Sequence, residues 1–253
     1  MKLPNILLLL ALAVAAMTLG FFFGGSRDKA VPSATPAGLS PTPKPSVALP
    51  PPPELLKTCR AIAALDLILS PEWEDRFYSF DSKWAPDAQM ASMRDGSGDS
   101  WHIVFSDKGW TALRGFVHES LAAGERGSLS AAIRAACPPE LKSFTEEAAF
   151  DWENTTICYF HTGGDSPWQR ANDLTPLAGV DTYEDGLLWD LTQGPEGYMR
   201  HAEDYFEQKI PLEIVQHVFD LKPITPEMVK QLNPETDYSR IEDELPGKIG
   251  YQR

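Results

Sequence analysis

MASMRDGSGDSWHIVFSDKGWTALRGFV, running from Met90 to Val117, decides the fold. Three short strand-like segments, Met90–Arg94, Trp101–Phe105 and Trp110–Val117, are parted by Asp95-Gly96-Ser97-Gly98-Asp99 and by Ser106-Asp107-Lys108-Gly109. Both interruptions are rich in turn residues that tolerate positive φ, so the stretch predicts a three-stranded antiparallel meander. A fourth strand is expected at Thr155–His161, where Ile157-Cys158-Tyr159-Phe160 forms a short apolar run.

Upstream, Leu55, Leu56, Cys59, Ile62, Ala63 and Leu67 recur at helical spacing, which predicts an amphipathic helix over Glu54–Leu69, ended by Pro71. An aromatic cluster follows, with Trp73, Phe77, Tyr78, Phe80 and Trp84. Residues Ala122–Leu141 read as a loop with a short helix near Leu129–Ala136, closed by Pro138-Pro139. Beyond Asp181 the pattern is helical, with short helices expected at Tyr183–Leu191, Glu196–Glu207, Pro211–Asp220 and Pro226–Leu232. Thr225 before Pro226 is a strong start signal, because Thr caps a helix and proline suits its first position. The expected class is α+β: an N-terminal helix, a small antiparallel β-meander sheet, and a helical C-terminal portion over one sheet face.

The N-terminal side carries different information. Ile6–Gly25 contains no charged residue and matches the roughly 20 residues that span a ~30 Å hydrocarbon core. Ala13-Val14-Ala15 offers a signal-peptidase site, but the apolar run continues through Phe21, Phe22 and Phe23, which favours a retained anchor over a cleaved signal. No cysteine occurs before Cys59, which argues against a lipoprotein. Residues 26–53 are rich in Pro, Ser, Thr and Ala and end in Pro50-Pro51-Pro52-Pro53, a composition that favours an extended spacer. The expected organisation is an anchor at 1–25, a linker at 26–53, and one globular domain at 54–253. A short N-terminal start of this kind stays in the cytoplasm, which turns the domain outward from a bacterial cytoplasmic membrane.

Of 22 basic and 36 acidic residues, residues 1–53 take four (Lys2, Arg27, Lys29, Lys44) and one (Asp28), leaving the rest of the chain at a net −17. Such a surface repels phosphate backbones and anionic lipid headgroups. Nucleic acid is therefore not an expected partner, and membrane contact is expected through the N-terminal helix only. Cys59, Cys137 and Cys158 form no CxxC and no metal-spaced pair with histidine. Cys158 reads as a core residue, which leaves either a Cys59–Cys137 disulfide or free thiols.

Four groupings invite a chemical reading. Asp95, Ser97 and Asp99 alternate with glycines as calcium ligands do, yet the position needed for a bidentate glutamate holds Ser106. A hairpin turn capped by its own aspartates accounts for every residue there. His102, His118 and His161 fall on or beside strands of one sheet, with Asp99 and Glu119 near enough in sequence to orient them; His102, His118 and Glu119 are thus the candidate acid–base set. Gly163-Gly164-Asp165-Ser166-Pro167 looks like a hydrolase serine loop, but Pro167 offers no N–H to an oxyanion, so a polar loop is expected. Among seven tryptophans, Trp110 and Trp168 are the candidate surface anchors for a partner. No cofactor is expected.

The segments Phe80-Asp81-Ser82-Lys83-Trp84, Met90–Asp99, Gly115-Phe116-Val117-His118-Glu119-Ser120 and Asn154-Thr155-Thr156-Ile157-Cys158 resemble a group of bacterial proteins of unknown function, over most of residues 70–250. That resemblance implies no activity, cofactor or catalytic residue. The hairpin around Asp95-Gly96-Ser97-Gly98-Asp99 is also similar to immunity-type domains of the SMI1/KNR4 family, which would imply neutralisation of a basic toxin by an acidic domain. The expectation drawn from the whole chain is a non-catalytic, membrane-tethered binding domain with a protein or glycan partner in the cell envelope. An immunity-type protein and a hydrolase with a histidine/acid site are the alternatives.

Overall fold

Helical spacing upstream of Ser70 winds Pro52–Leu69 into helix α1 in the computed structural model, which describes residues 47–120, 123–124, 126–171 and 183–252. Proline at its start loses nothing, since the first N–H groups of a helix have no intrahelical acceptor. Strands β1 (Tyr78–Ala85), β2 (Ala88–Arg94), β3 (Ser100–Ser106), β4 (Thr111–Phe116), β5 (Ile157–His161) and β6 (Gln169–Arg170) pair antiparallel in sequence order. The expected meander is therefore present and extended at both edges. Shorter helices follow: α2 (Arg126–Ala136), α3 (Lys142–Thr145), α4 (Glu184–Leu187), α5 (Trp189–Thr192), α6 (Gly194–Tyr205), α7 (Leu212–Phe219), α8 (Pro226–Leu232) and α9 (Tyr238–Ile241), then a π-helical turn at Leu245–Ile249. The class is α+β, as expected.

Register sorts the sheet into two faces, because successive side chains of a strand point opposite ways. Tyr78, Met93, Trp101, Gly115 and Ile157 form one cross-strand row, and Phe80, Ala91, Ile103, Leu113 and Tyr159 the next. Both rows face the main core, which α1, α6, α7 and α8 fill with Ile62, Leu65, Tyr198, Val215 and Val229. Ser92, His102, Arg114 and Cys158 form the intervening row on the opposite face. A smaller core lies there, built from Ile133, Leu141, Phe144, Phe150 and Trp152.

Three differences from the sequence reading have physical causes. β1 looks like an aromatic cluster because its alternation is broken by a register shift between Asp81 and Ala85. The expected helix at Tyr183–Leu191 divides at Leu188 into α4 and α5. The domain also begins earlier than Glu54: Val47 and Leu49 are each 8% exposed and pack into the main core. Ile6–Gly25 lies outside the described residues, and among the described residues no helix is long and apolar enough to cross a membrane.

Candidate functional site

Asp66 is a charged residue inside the apolar run AIAALDLIL, Ala61–Leu69, and it is fully buried. Its Oδ2 accepts the backbone N–H groups of Phe77 (3.0 Å) and Tyr78 (2.7 Å), and its Oδ1 accepts the Tyr198 hydroxyl at 2.7 Å. The carboxylate thus joins the last turn of α1, the start of β1 and the middle of α6. Burial pushes its pKa up to about 7, against the pull of these hydrogen bonds.

A second buried carboxylate stands beside the first. Asp190 of α5 is 5% exposed. Its Oδ2 accepts the Tyr78 hydroxyl and lies 3.3 Å from His201 Nδ1. Tyr198 and His201 are three residues apart and share one face of α6, which brings the histidine to this point. Phe77 meets the His201 ring edge-on at 4.6 Å, and Tyr205 stacks on it at 5.8 Å. Burial raises the Asp190 pKa; His201 and the Tyr78 hydroxyl act the other way. The Tyr78 and Tyr198 phenols are pushed well above their usual value by burial, so both remain neutral donors.

Of these groups Tyr78, Asp190 and His201 line a cleft of about 340 Å³, while Asp66 and Tyr198 stay buried behind them. Phe77, Met93, Leu187 and Trp189 give it apolar and aromatic lining; Tyr78, Asp95, Asp99, Asp190 and His201 give it polar lining. Trp189 is half exposed. Asp190 Oδ1 and His201 Nε2 are buried and have no hydrogen-bond partner among the described residues. An acceptor in that condition costs on the order of 1–3 kcal/mol, which a bound donor would recover. Among the described residues, no serine, threonine or cysteine lines the cleft.

The histidines singled out from the sequence do not converge. His102 faces the smaller core, where its ring stacks on Phe150 at 4.7 Å and its Nδ1 lies 3.2 Å from Arg114 Nη1. Burial and the neighbouring guanidinium push its pKa down to about 3, so it is neutral. His161 lies on the other face, with its Nδ1 accepting the Gly163 N–H at 3.0 Å. His118 is on the surface, 2.7 Å from Asp99 Oδ1 and 3.9 Å from Glu119. The hydrogen bond to Asp99 raises its pKa. His118 thus contacts Asp99, with Glu119 nearby, and His102 does not join them, because it is packed against Phe150 and Arg114 on the other side of the sheet.

Asp95 is engaged as a turn cap. Its Oδ1 accepts the N–H groups of Ser97, Gly98 and Asp99 at 2.9–3.0 Å, and its Oδ2 accepts the Ser97 hydroxyl. Asp99 accepts the His118 N–H at 2.8 Å. Among the described residues, no group of three His, Cys, Asp or Glu is placed to hold a metal ion; the hydrogen bonds that Asp95 and Ser97 make are those of a turn. Ser166 likewise donates to Gly163 O at 2.8 Å within its own loop.

Both tryptophans proposed as anchors point inward. Trp110 is 5% exposed and belongs to the smaller core, where the strand β4 it precedes is buried on both faces. Trp168 is half-buried, and its indole N–H donates to Pro50 O at 2.9 Å, so its partner is the chain's own proline-rich segment. All three cysteines are free thiols, one of the two alternatives the sequence left open: Cys59 sits in the main core, whereas Cys137 and Cys158 meet in the smaller one.

Sequence reasoning missed Asp66, Tyr78, Asp190 and His201. A signal existed at two of them. Asp66 interrupts an apolar helix, and Asp190 sits in the apolar setting Leu187-Leu188-Trp189-Asp190-Leu191; a buried acid needs partners, so either was worth pursuing. A wider groove of about 620 Å³ runs between α2 and Trp152, but its Ser130 hydroxyl is already engaged with the backbone of Glu153 and Thr155. Comparison with protein-family models, curated proteins and solved structures finds no match to this chain.

Proposed function

We propose that the chain is a non-catalytic binding domain, tethered to the bacterial cytoplasmic membrane and facing outward, whose cleft receives a cationic group from a protein partner in the envelope. The observation that carries this reading is the buried Asp190 oxygen without a donor, beside aromatic rings and two further carboxylates. An ammonium or guanidinium satisfies that oxygen by a charge-assisted hydrogen bond and gains from the faces of Trp189 and Phe77. The acidic balance of the chain supports the same choice by steering basic partners inward. Immunity-type neutralisation of a basic toxin uses the same cleft and the same charge. A toxin gene adjacent to this one distinguishes it.

The test is an NMR titration of the full chain in detergent with Nα-acetyl-lysine amide, Nα-acetyl-arginine amide and neutral Nα-acetyl-glutamine amide. The two cationic probes are expected to shift cleft resonances, and D190N to weaken both at least tenfold while leaving the fold intact. Equal binding of the neutral probe, or unchanged affinity in D190N, would sink the cationic reading. Selective shifts with oligosaccharides alone would assign the cleft to a glycan.

A further inference from the structure

The smaller core contains a pair of thiols in contact. Cys137 follows the last turn of α2, and Cys158 is the second residue of β5, in the row with His102 and Arg114. Their sulfurs are 3.8 Å apart, and both are free. Cys158 is fully buried, whereas Cys137 is partly open to solvent. The residues between them include Leu141, Phe144, Phe150 and Trp152, the apolar side chains on which this core depends.

We propose that Cys137 and Cys158 form a disulfide by exchange with a disulfide-bearing oxidant, closing residues 138–157 into a covalent loop over the second face of the sheet. Accessibility gives the order of events. The Cys137 thiolate attacks one sulfur of the oxidant RSSR, forms a mixed disulfide and releases one RS⁻. Cys158 then attacks Cys137 Sγ and displaces the second RS⁻. The two protein thiols lose two electrons and two protons, and RSSR becomes two RSH, so the exchange balances. The hydrogen bond from the Cys158 thiol holds Cys137 below its ordinary pKa, which suits it to lead. Cys59 has no part in this: it lies in the main core, and burial pushes its thiol well up.

The bond has a physical purpose in this fold. Half of the smaller core's residues come from the excursion between β4 and β5, and tying the middle of that excursion, at Cys137, to the returning strand at Cys158 reduces the entropy of its open states. An outward-facing domain would meet suitable oxidants, while the chemistry itself is independent of the binding reading.

The wild-type full chain carries the readout. It is equilibrated in detergent with oxidised glutathione, quenched in acid, unfolded, alkylated and mapped by peptide mass. A Cys137–Cys158 linked peptide with alkylated Cys59 is expected, together with a melting midpoint several degrees higher that dithiothreitol reverses. Alkylation of both Cys137 and Cys158 after equilibration, or a disulfide containing Cys59, would overturn the proposal. C137S is expected to leave Cys158 unmodified by glutathione, because the buried thiol is out of reach without its partner; glutathionylated Cys158 would count against the stated order.

Discussion

Asp66 shows how one side chain carries both architecture and pH response. It supplies the acceptors for two backbone N–H groups at the start of β1 and for the Tyr198 hydroxyl. D66A would strand those donors, at about 1–3 kcal/mol for each, and urea unfolding should show the loss directly. D66N keeps an acceptor and a donor but does not titrate. Because burial lifts the folded pKa from 3.8 to about 7, the wild-type carboxyl contributes stability that is full below pH 4 and is lost as pH rises through 7. The stability difference between wild type and D66N should therefore move against the wild type between about pH 4 and pH 7 and level off above it; a flat difference across that window would contradict the assignment. The chemistry of Asp95 was readable in advance, since Asp and Gly in a five-residue turn have one common geometry. The meeting of Asp190, Tyr78 and His201 was not, because it joins three elements distant in sequence, and no local pattern records such a contact.

At the scale of elements, the legible parts are those fixed by neighbours in the chain. β2, β3 and β4 follow from their turns, and α8 starts where Thr225 accepts the Met228 N–H and Pro226 fixes the first helical φ. β1 and β6 were less legible: the first hides its period in a register shift, and the second is only two residues long. The β5–β6 connection gives a sharp test. Gly163 has φ +97°, and a Cβ there would lie 2.8 Å from Gly109 O in the β3–β4 turn. Gly164 also has positive φ, +60°, but faces open space. G163A should cost about 1–3 kcal/mol and G164A about 1 kcal/mol or less. Equal shifts in the urea midpoint would mean that the two turns do not press on each other.

For the whole molecule, the charge, the apolar Ile6–Gly25 run and the proline-rich stretch set an expectation about location that the described residues do not touch. The full chain is expected to sediment with bacterial membranes, to be released by detergent, and to become soluble when residues 1–25 are deleted. Recovery of the intact chain in the soluble fraction would refute the tether. The join between the proline-rich stretch and the domain matters here. Val47 and Leu49 are buried, and Trp168, next to β6, holds Pro50 O. Tension arriving along the chain from its N-terminal side therefore reaches those contacts before it reaches α1. A pull on the N-terminal side would thus be borne first by the Val47 and Leu49 core contacts and by the Trp168 bond at the β6 edge of the sheet.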